Sequence, residues 1–197
     1  GGFNMTKRKG LTLTDVLITV VIALVFAVIY SLWDGIYTIL QPFGLHLNEL
    51  VYGMWFIAAI VAYLIIRKPG VALIAEFAAA SGETIVLLQF DISLIMYGLL
   101  QGLVCELIFL IFKYKSTHLM VVVMAGIAAA LITLPLDWYY GYLGHLESWN
   151  LILMFSLRIL SGAVVAGWLG HVLYRAVKET GVLKFIGSSS SDSTEGL

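Results

Sequence analysis

Six apolar runs, each close to the length that carries a helix across a bilayer, leave this chain few folds to choose from. They cover residues 16–33, 50–66, 71–90, 94–112, 119–136 and 151–173; a membrane-spanning helix needs about 20 such residues. The basic residues fall only in alternate connections. Lys7, Arg8 and Lys9 precede the first run, and Arg67 and Lys68 separate the second from the third. Lys113 and Lys115 lie between the fourth and fifth, and Arg175, Lys178 and Lys184 follow the sixth. The other three connections hold neither Lys nor Arg. Cytoplasmic loops concentrate these residues, so the pattern predicts an even number of spans with both termini cytoplasmic. Arg158, inside the sixth run, is the one basic residue that departs from it. The expected fold is an all-α integral membrane protein, a six-transmembrane-helix bundle.

Composition agrees and removes several function classes. The chain is 61% hydrophobic and 12% charged, with mean hydropathy +0.99, far too apolar for a soluble domain of this size. A net charge of -1, sorted by side of the membrane, gives no basic patch for nucleic acid. The single cysteine, Cys105, makes no internal disulfide, and the four histidines stand on different segments without ligand spacing, so no metal site is expected. There is no Gly-x-Ser-x-Gly, no His-Glu-x-x-His and no phosphate-binding glycine loop. No catalytic residues and no cofactor are therefore expected, and the chain cannot drive transport with ATP by itself. Residues 5–186 read as one six-helix transmembrane domain. Residues 1–4 precede an apparent natural start at Met5 and read as a foreign remnant, and residues 187–197 read as a flexible polar tail.

The polar residues inside the apolar runs carry the functional argument. Glu76 and Glu83 stand seven apart on one face of the third helix, with Ala79 and Ala80 between them. A carboxylate at membrane depth is costly unless paired, hydrated or protonated, so this face predicts a wall of a polar cavity. Counting along the helices places Glu83 and Arg158 about 10 to 12 Å below the outer boundary, and Glu76 and Glu106 about as far above the inner one. Glu83 is then either the partner of Arg158 in a structural ion pair or a ligand contact that Arg158 aims. Glu76 and Glu106 either share a proton or supply a cavity floor, with Gln101 just above Glu106 as an amide donor and acceptor. Asp137, after Pro135 and beside Trp138, either caps a helix end or touches ligand at the outer mouth. Tyr52 and Trp55, three apart, share a face that can stack a flat ring.

Aromatic residues crowd the outer side: Trp33, Tyr37, Tyr52, Trp55, Tyr97, Trp138, Tyr139, Tyr140, Tyr142 and Trp149. An interfacial belt populates both faces of a membrane, whereas Trp168 alone among the tryptophans belongs near the inner one. The skew favours an outward-facing aromatic pocket. The outer connections 34–48 and 137–150 are long enough for lids, and Gln41-Pro42-Phe43-Gly44 carries a turn signature. Small pairs, namely Ala23 with Ala27, Gly98 with Gly102, Gly162 with Ala166 and Ala163 with Gly167, predict close helix contacts. A pocket with excess carboxylate and a rim of rings suits a small aromatic cation.

These stretches together resemble the YkoE-type substrate-binding (S) components of energy-coupling factor (ECF) transporters, the vitamin importers of prokaryotes. The resemblance is carried by Leu50-Val-Tyr-Gly-Met-Trp-Phe56, by Arg67-Lys-Pro-Gly70 with Glu76 and Glu83 downstream, and by Gln101-Gly-Leu-Val-Cys-Glu106. Arg158-Ile-Leu-Ser-Gly162 and Thr180-Gly-Val-Leu183 complete it. Leu87-Leu-Gln-Phe-Asp91 departs from the family pattern, which shifts Gln89 and Phe90 from its ring-contacting positions. The resemblance implies a prokaryotic cell-membrane location and a six-helix S-component fold. It implies binding of thiamine or its hydroxymethylpyrimidine (HMP) precursor on the outer side, under the first outer loop as a lid. It also implies a transmembrane coupling (T) protein and cytoplasmic ATPase subunits as partners, with Ala23 and Ala27 as the docking face on helix 1.

On this reading the ligand contacts are Glu83 for the pyrimidine, Glu76 and Glu106 for the floor, and Trp55, Tyr52 and Trp33 for the rings, with Gln101 and Asp137 nearby. The competing reading is a stand-alone proton-coupled carrier in which Glu76 and Glu106 relay protons. An intramembrane enzyme lacks a nucleophile and base.

Overall fold

The computed structural model describes residues 10–184; the expected remnant at 1–4, Met5 and the tail at 187–197 lie outside them. Helix α1 (Leu13–Leu40) opens on a capping box, in which Thr12 accepts from the Asp15 amide and Asp15 accepts from the Thr12 amide. It runs past Trp33, where the apolar count expects its end, and stops only at the Gln41–Phe43 turn, where Pro42 and Gly44 (φ 74°) redirect the chain. The expected long first outer loop is therefore mostly helix. A ten-residue 3-10 segment, Leu47–Phe56, then feeds α2 (Ile57–Ile66). Helix α2 is apolar all round and its residues 57–64 are all buried, which puts it at the centre of the bundle.

Helices α3 (Val71–Val86) and α4 (Ile92–Ile111) follow. The third apolar run predicts helix to Phe90, but Leu88 takes a left-handed conformation (φ 52°) and the Gln89 amide closes back on the Thr84 carbonyl. Asp91 then caps α4. At 16 residues α3 is about 24 Å long, shorter than the roughly 30 Å hydrocarbon core. Among the described residues five other helical stretches are long and apolar enough to cross a membrane: Leu13–Phe43, Leu47–Ile66, Ile92–Ile111, Leu119–Tyr139 and Ser148–Glu179. The fourth of these is α5 (Leu119–Ile132) broken at Thr133 before α6 (Leu134–Tyr139), whose first turn holds Pro135. The last joins α7 (Ser148–Ser161) to α8 (Gly170–Glu179) through an eight-residue π-helical segment, Gly162–Leu169.

Small residues set the closest approaches. Gly98 and Gly102 of α4 lie against Ala80, Glu76 and Leu73 of α3, and a Cβ at Gly102 would stand 3.0 Å from the Glu76 Cβ. Gly162 and Gly167 likewise admit Gly126 and Val123 of α5. Ala23 and Ala27 are each 1% exposed. A Cβ at Gly82 of α3 would meet the Ala27 Cβ at 2.7 Å. This corrects the expectation of a docking face there: the pair packs α1 onto α3 inside the chain. The outward face of α1 carries larger groups instead, among them Leu17, Val21, Leu24, Val28 and Leu32.

Candidate functional site

A cavity of about 480 Å³ opens among α1, the 3-10 segment, α3, α4, α6 and α7. Its first wall follows from the 3-10 geometry. With three residues per turn, residues three apart eclipse one another, so Glu49, Tyr52 and Trp55 point the same way into the cavity. The Tyr52 and Trp55 rings meet edge to face at 5.9 Å, and Tyr37 from α1 meets Trp55 at 4.9 Å. The face expected for Tyr52 and Trp55 is present, built on a 3-10 rather than an α-helical turn.

The second wall is the α3 face, where Glu76, Ala80 and Glu83 line the cavity. Glu83 accepts from the Trp55 indole N–H at 3.2 Å. Glu76 is fully buried, and its Oε2 accepts from the Tyr30 hydroxyl (3.0 Å) and the Ala59 amide (3.3 Å). The Tyr30 hydroxyl in turn accepts from the Ala58 amide at 3.0 Å. These two amides belong to the first turn of α2, whose positive dipole end favours a carboxylate. The other oxygen of Glu76, Oε1, is buried with no hydrogen-bond partner among the described residues. A buried orphan acceptor is costly, and Glu76 is among the residues that line the cavity.

Arg158 forms the third feature, and here the structure corrects the expected pairing. Arg158 does not meet Glu83. Its Nε and Nη2 donate to Glu49 at 2.7 and 3.1 Å, and its Nη1 donates to Asp137. The Tyr52 ring lies over the guanidinium, 4.0 Å from Cζ to centroid. Tyr37 donates to Glu49 at 3.0 Å and Tyr97 to Asp137 at 2.5 Å. The depth count placed Arg158 level with Glu83, but depth does not give azimuth. The partner it missed, Glu49, stands one 3-10 turn before Tyr52, between the first outer connection and the second apolar run. That spacing of three was the available signal.

Two other expected contacts fall elsewhere. Glu106 does not line the cavity: it accepts from the Gly70 amide (2.6 Å), the Leu73 amide (3.2 Å) and the Tyr114 hydroxyl (2.7 Å), capping α3 from α4. It shares no proton with Glu76, because each carboxylate occupies a different helix N-terminus. Trp33 donates its indole N–H to the Val51 carbonyl at 2.8 Å and packs beside the α1–α2 core. Gln101 and Asp137 do line the cavity, Gln101 at 3% exposure. Tyr30, Asp34, Glu49 and Asp91 were not anticipated and line it as well, and Tyr37 and Tyr97, expected only as members of the outer aromatic set, join them. Of the outer aromatics, Trp138, Tyr139 and Trp149 are exposed as a belt would be, while Tyr37, Tyr52, Trp55 and Tyr97 face the cavity. Among the described residues no three His, Cys, Asp or Glu side chains converge as a metal site.

Comparison with known proteins places this architecture. A family model described as "ABC-type cobalt transport system, permease component" matches residues 14–132. The chain is 34% identical over 177 residues to "Putative HMP/thiamine permease protein YkoE" of Bacillus subtilis (strain 168), covering 89% of this chain and 88% of that protein. Its fold is similar to a solved structure described as "Crystal structure of an S-component of ECF transporter", with a TM-score of 0.82 and 32% identity over 95% of this chain and 99% of that one.

Proposed function

We propose, from the premise that the chain belongs to the S components of ECF transporters, that it captures thiamine or HMP from the outer side of a prokaryotic cell membrane. In this reading it hands the loaded site to a T protein and cytoplasmic ATPase subunits, which supply the energy. In this reading both termini face the cytoplasm, which the alternation of basic connections supports. The S-component family consists of transporter parts, so the chain captures its substrate and does not transform it.

The observation that carries the ligand assignment is the unpartnered Oε1 of Glu76, a residue of the cavity wall that also holds Glu83 and three aromatic rings. An aminopyrimidine offers an exocyclic amine as donor to such an oxygen. The thiazolium of thiamine is a permanent cation, which Trp and Tyr faces receive through their ring quadrupoles. Trp55, braced edge-on by Tyr37 and Tyr52, and the Glu83 carboxylate that its indole holds, provide both. Gln101 adds an amide to the same lining. A cobalt ion, the cargo in the description of the matching family, asks instead for several convergent donors, and no such group occurs among the described residues.

Titration calorimetry of the purified protein with thiamine and with HMP tests the assignment. Glu83→Gln is expected to weaken thiamine binding tenfold or more, the loss of one charge-assisted hydrogen bond of about 1.5 to 3 kcal/mol. Unchanged affinity in the folded variant would remove Glu83 from the site. Accumulation of thiamine in liposomes by the protein alone, driven by a pH gradient, would replace the capture role with a proton-coupled carrier.

A further inference from the structure

We infer that this cavity selects the unphosphorylated ligand and rejects its phosphate esters, because carboxylates dominate its lining and already engage the guanidinium and the helix N-termini that reach it. The inference deepens the thiamine reading and rests on it. Proteins hold phosphate chiefly with arginine forks and with the free amides of helix N-termini. The cavity has both, and each is already engaged by a carboxylate of the chain itself.

Arg158 is the sole Lys or Arg among the described lining residues, against six carboxylates: Asp34, Glu49, Glu76, Glu83, Asp91 and Asp137. All three of its guanidinium nitrogens donate to Glu49 or Asp137, the Tyr52 ring covers one face, and the residue is 4% exposed. Tyr37 and Tyr97 hold the two carboxylates in place, so helices α1, α4, α6 and α7 and the 3-10 segment all anchor this arrangement. A phosphate reaching for Arg158 would have to displace a carboxylate that is itself tied down.

The helix ends are filled in the same manner. The N-terminus of α4 reaches the cavity at Ser93, and Asp91 accepts there from both the Ser93 amide (2.8 Å) and hydroxyl (2.6 Å). The first-turn amides of α2 are taken by Tyr30 and Glu76. A phosphate monoester, with close to two negative charges, would therefore meet six carboxylates, and the donors left to it are side-chain hydroxyls and amides such as those of Tyr142 and Gln101 and the imidazoles of His46 and His145. Like-charge juxtaposition at a desolvated site costs heavily. A cation or a neutral alcohol meets no such opposition. Glu49, Asp91 and Asp137 are thus specificity-determining residues that act by occupying receptors.

The test titrates the purified full chain in detergent with thiamine and with thiamine monophosphate. The wild-type protein is expected to bind thiamine at least about 100-fold more tightly than the monophosphate. Asp137→Asn, which releases one guanidinium nitrogen, and Asp91→Ala, which uncovers the α4 N-terminus, are each expected to narrow that ratio at least about fivefold. A purely structural role would weaken both ligands alike and leave the ratio where it was. Should Asp137→Asn fail to fold, Asp91→Ala at the half-buried mouth and the wild-type ratio still decide. Wild-type affinities within threefold of each other would overturn the inference alone, and an unchanged ratio in the folded variants would overturn the assignment to these residues. Binding of neither compound by the folded protein would overturn the thiamine reading, and the inference with it.

Discussion

Glu76 and Glu106 make an instructive pair, since both are carboxylates at membrane depth on neighbouring helices and both sit at the N-terminus of another helix. Glu106 caps α3 on the inner side with two backbone amides and the Tyr114 hydroxyl, and both of its oxygens are engaged. Around it the inner half is closely packed: Tyr63 stacks on Phe109 at 3.6 Å, Tyr63 donates to the Ser116 carbonyl, and Lys68 bridges to Asp15. Glu76 meets α2 with one oxygen only, and the other has no hydrogen-bond partner among the described residues. The contrast shows that an acid in a membrane helix signals function only when its hydrogen-bonding capacity is left over after the fold is satisfied. The packing around Glu106 uses its polar groups to hold helices together, whereas the cavity lining leaves one oxygen of Glu76 without a partner among the described residues.

The sharpest way to break this comparison is Arg158→Gln. It strands Glu49 and Asp137 in a buried site, and removing one partner of such a network costs about 3 to 5 kcal/mol. Thermal unfolding in detergent is expected to show a large drop in Tm, with thiamine binding lost as well. A small shift would mean that water reaches the network freely. Glu76→Gln comes next. It is expected to cut thiamine affinity tenfold or more, about 1.5 to 3 kcal/mol, while keeping one acceptor for the α2 amides. A stability loss without an affinity loss would class Glu76 with Glu106 and erase the distinction. Glu106→Gln should show the smallest functional effect. It is expected to lower stability by about 1 to 2 kcal/mol through the weakened α3 cap, with thiamine affinity inside twofold of wild type by calorimetry. Any larger loss of affinity would tie the inner cap to the outer cavity.

Much of the architecture was legible in the residues. The apolar runs and alternating basic connections announced an all-helical membrane bundle, and the seven-residue spacing of Glu76 and Glu83 announced a polar wall on α3. Glycine and alanine pairs marked where helices close up, though Ala23 and Ala27 turned out to serve α3 rather than a partner. The site itself was only partly readable. Glu49 was passed over because a charged residue just before an apolar run ends the hydropathy count, and the 3-10 segment that brings Glu49, Tyr52 and Trp55 into line has a period that an α-helical count does not follow. The early end of α3 at Leu88 was hidden for a related reason: a left-handed residue is a local backbone choice, and Leu88 and Phe90 remain as apolar as any residue within a span.

What the sequence determined by itself was therefore one-dimensional: which segments enter the membrane, the order in which they do so, and the approximate depth of each charged group. Apolar transfer energy and helical rise depend only on composition and count, so they can be read along the chain. Only the tertiary structure decided partnership. Arg158 could have met any carboxylate at its level, and it met Glu49 and Asp137 because the 3-10 segment and the broken α5–α6 helix turn those two toward α7. A hydrogen bond depends on azimuth and a few tenths of an ångström, which are set by packing across helices and not by position along one.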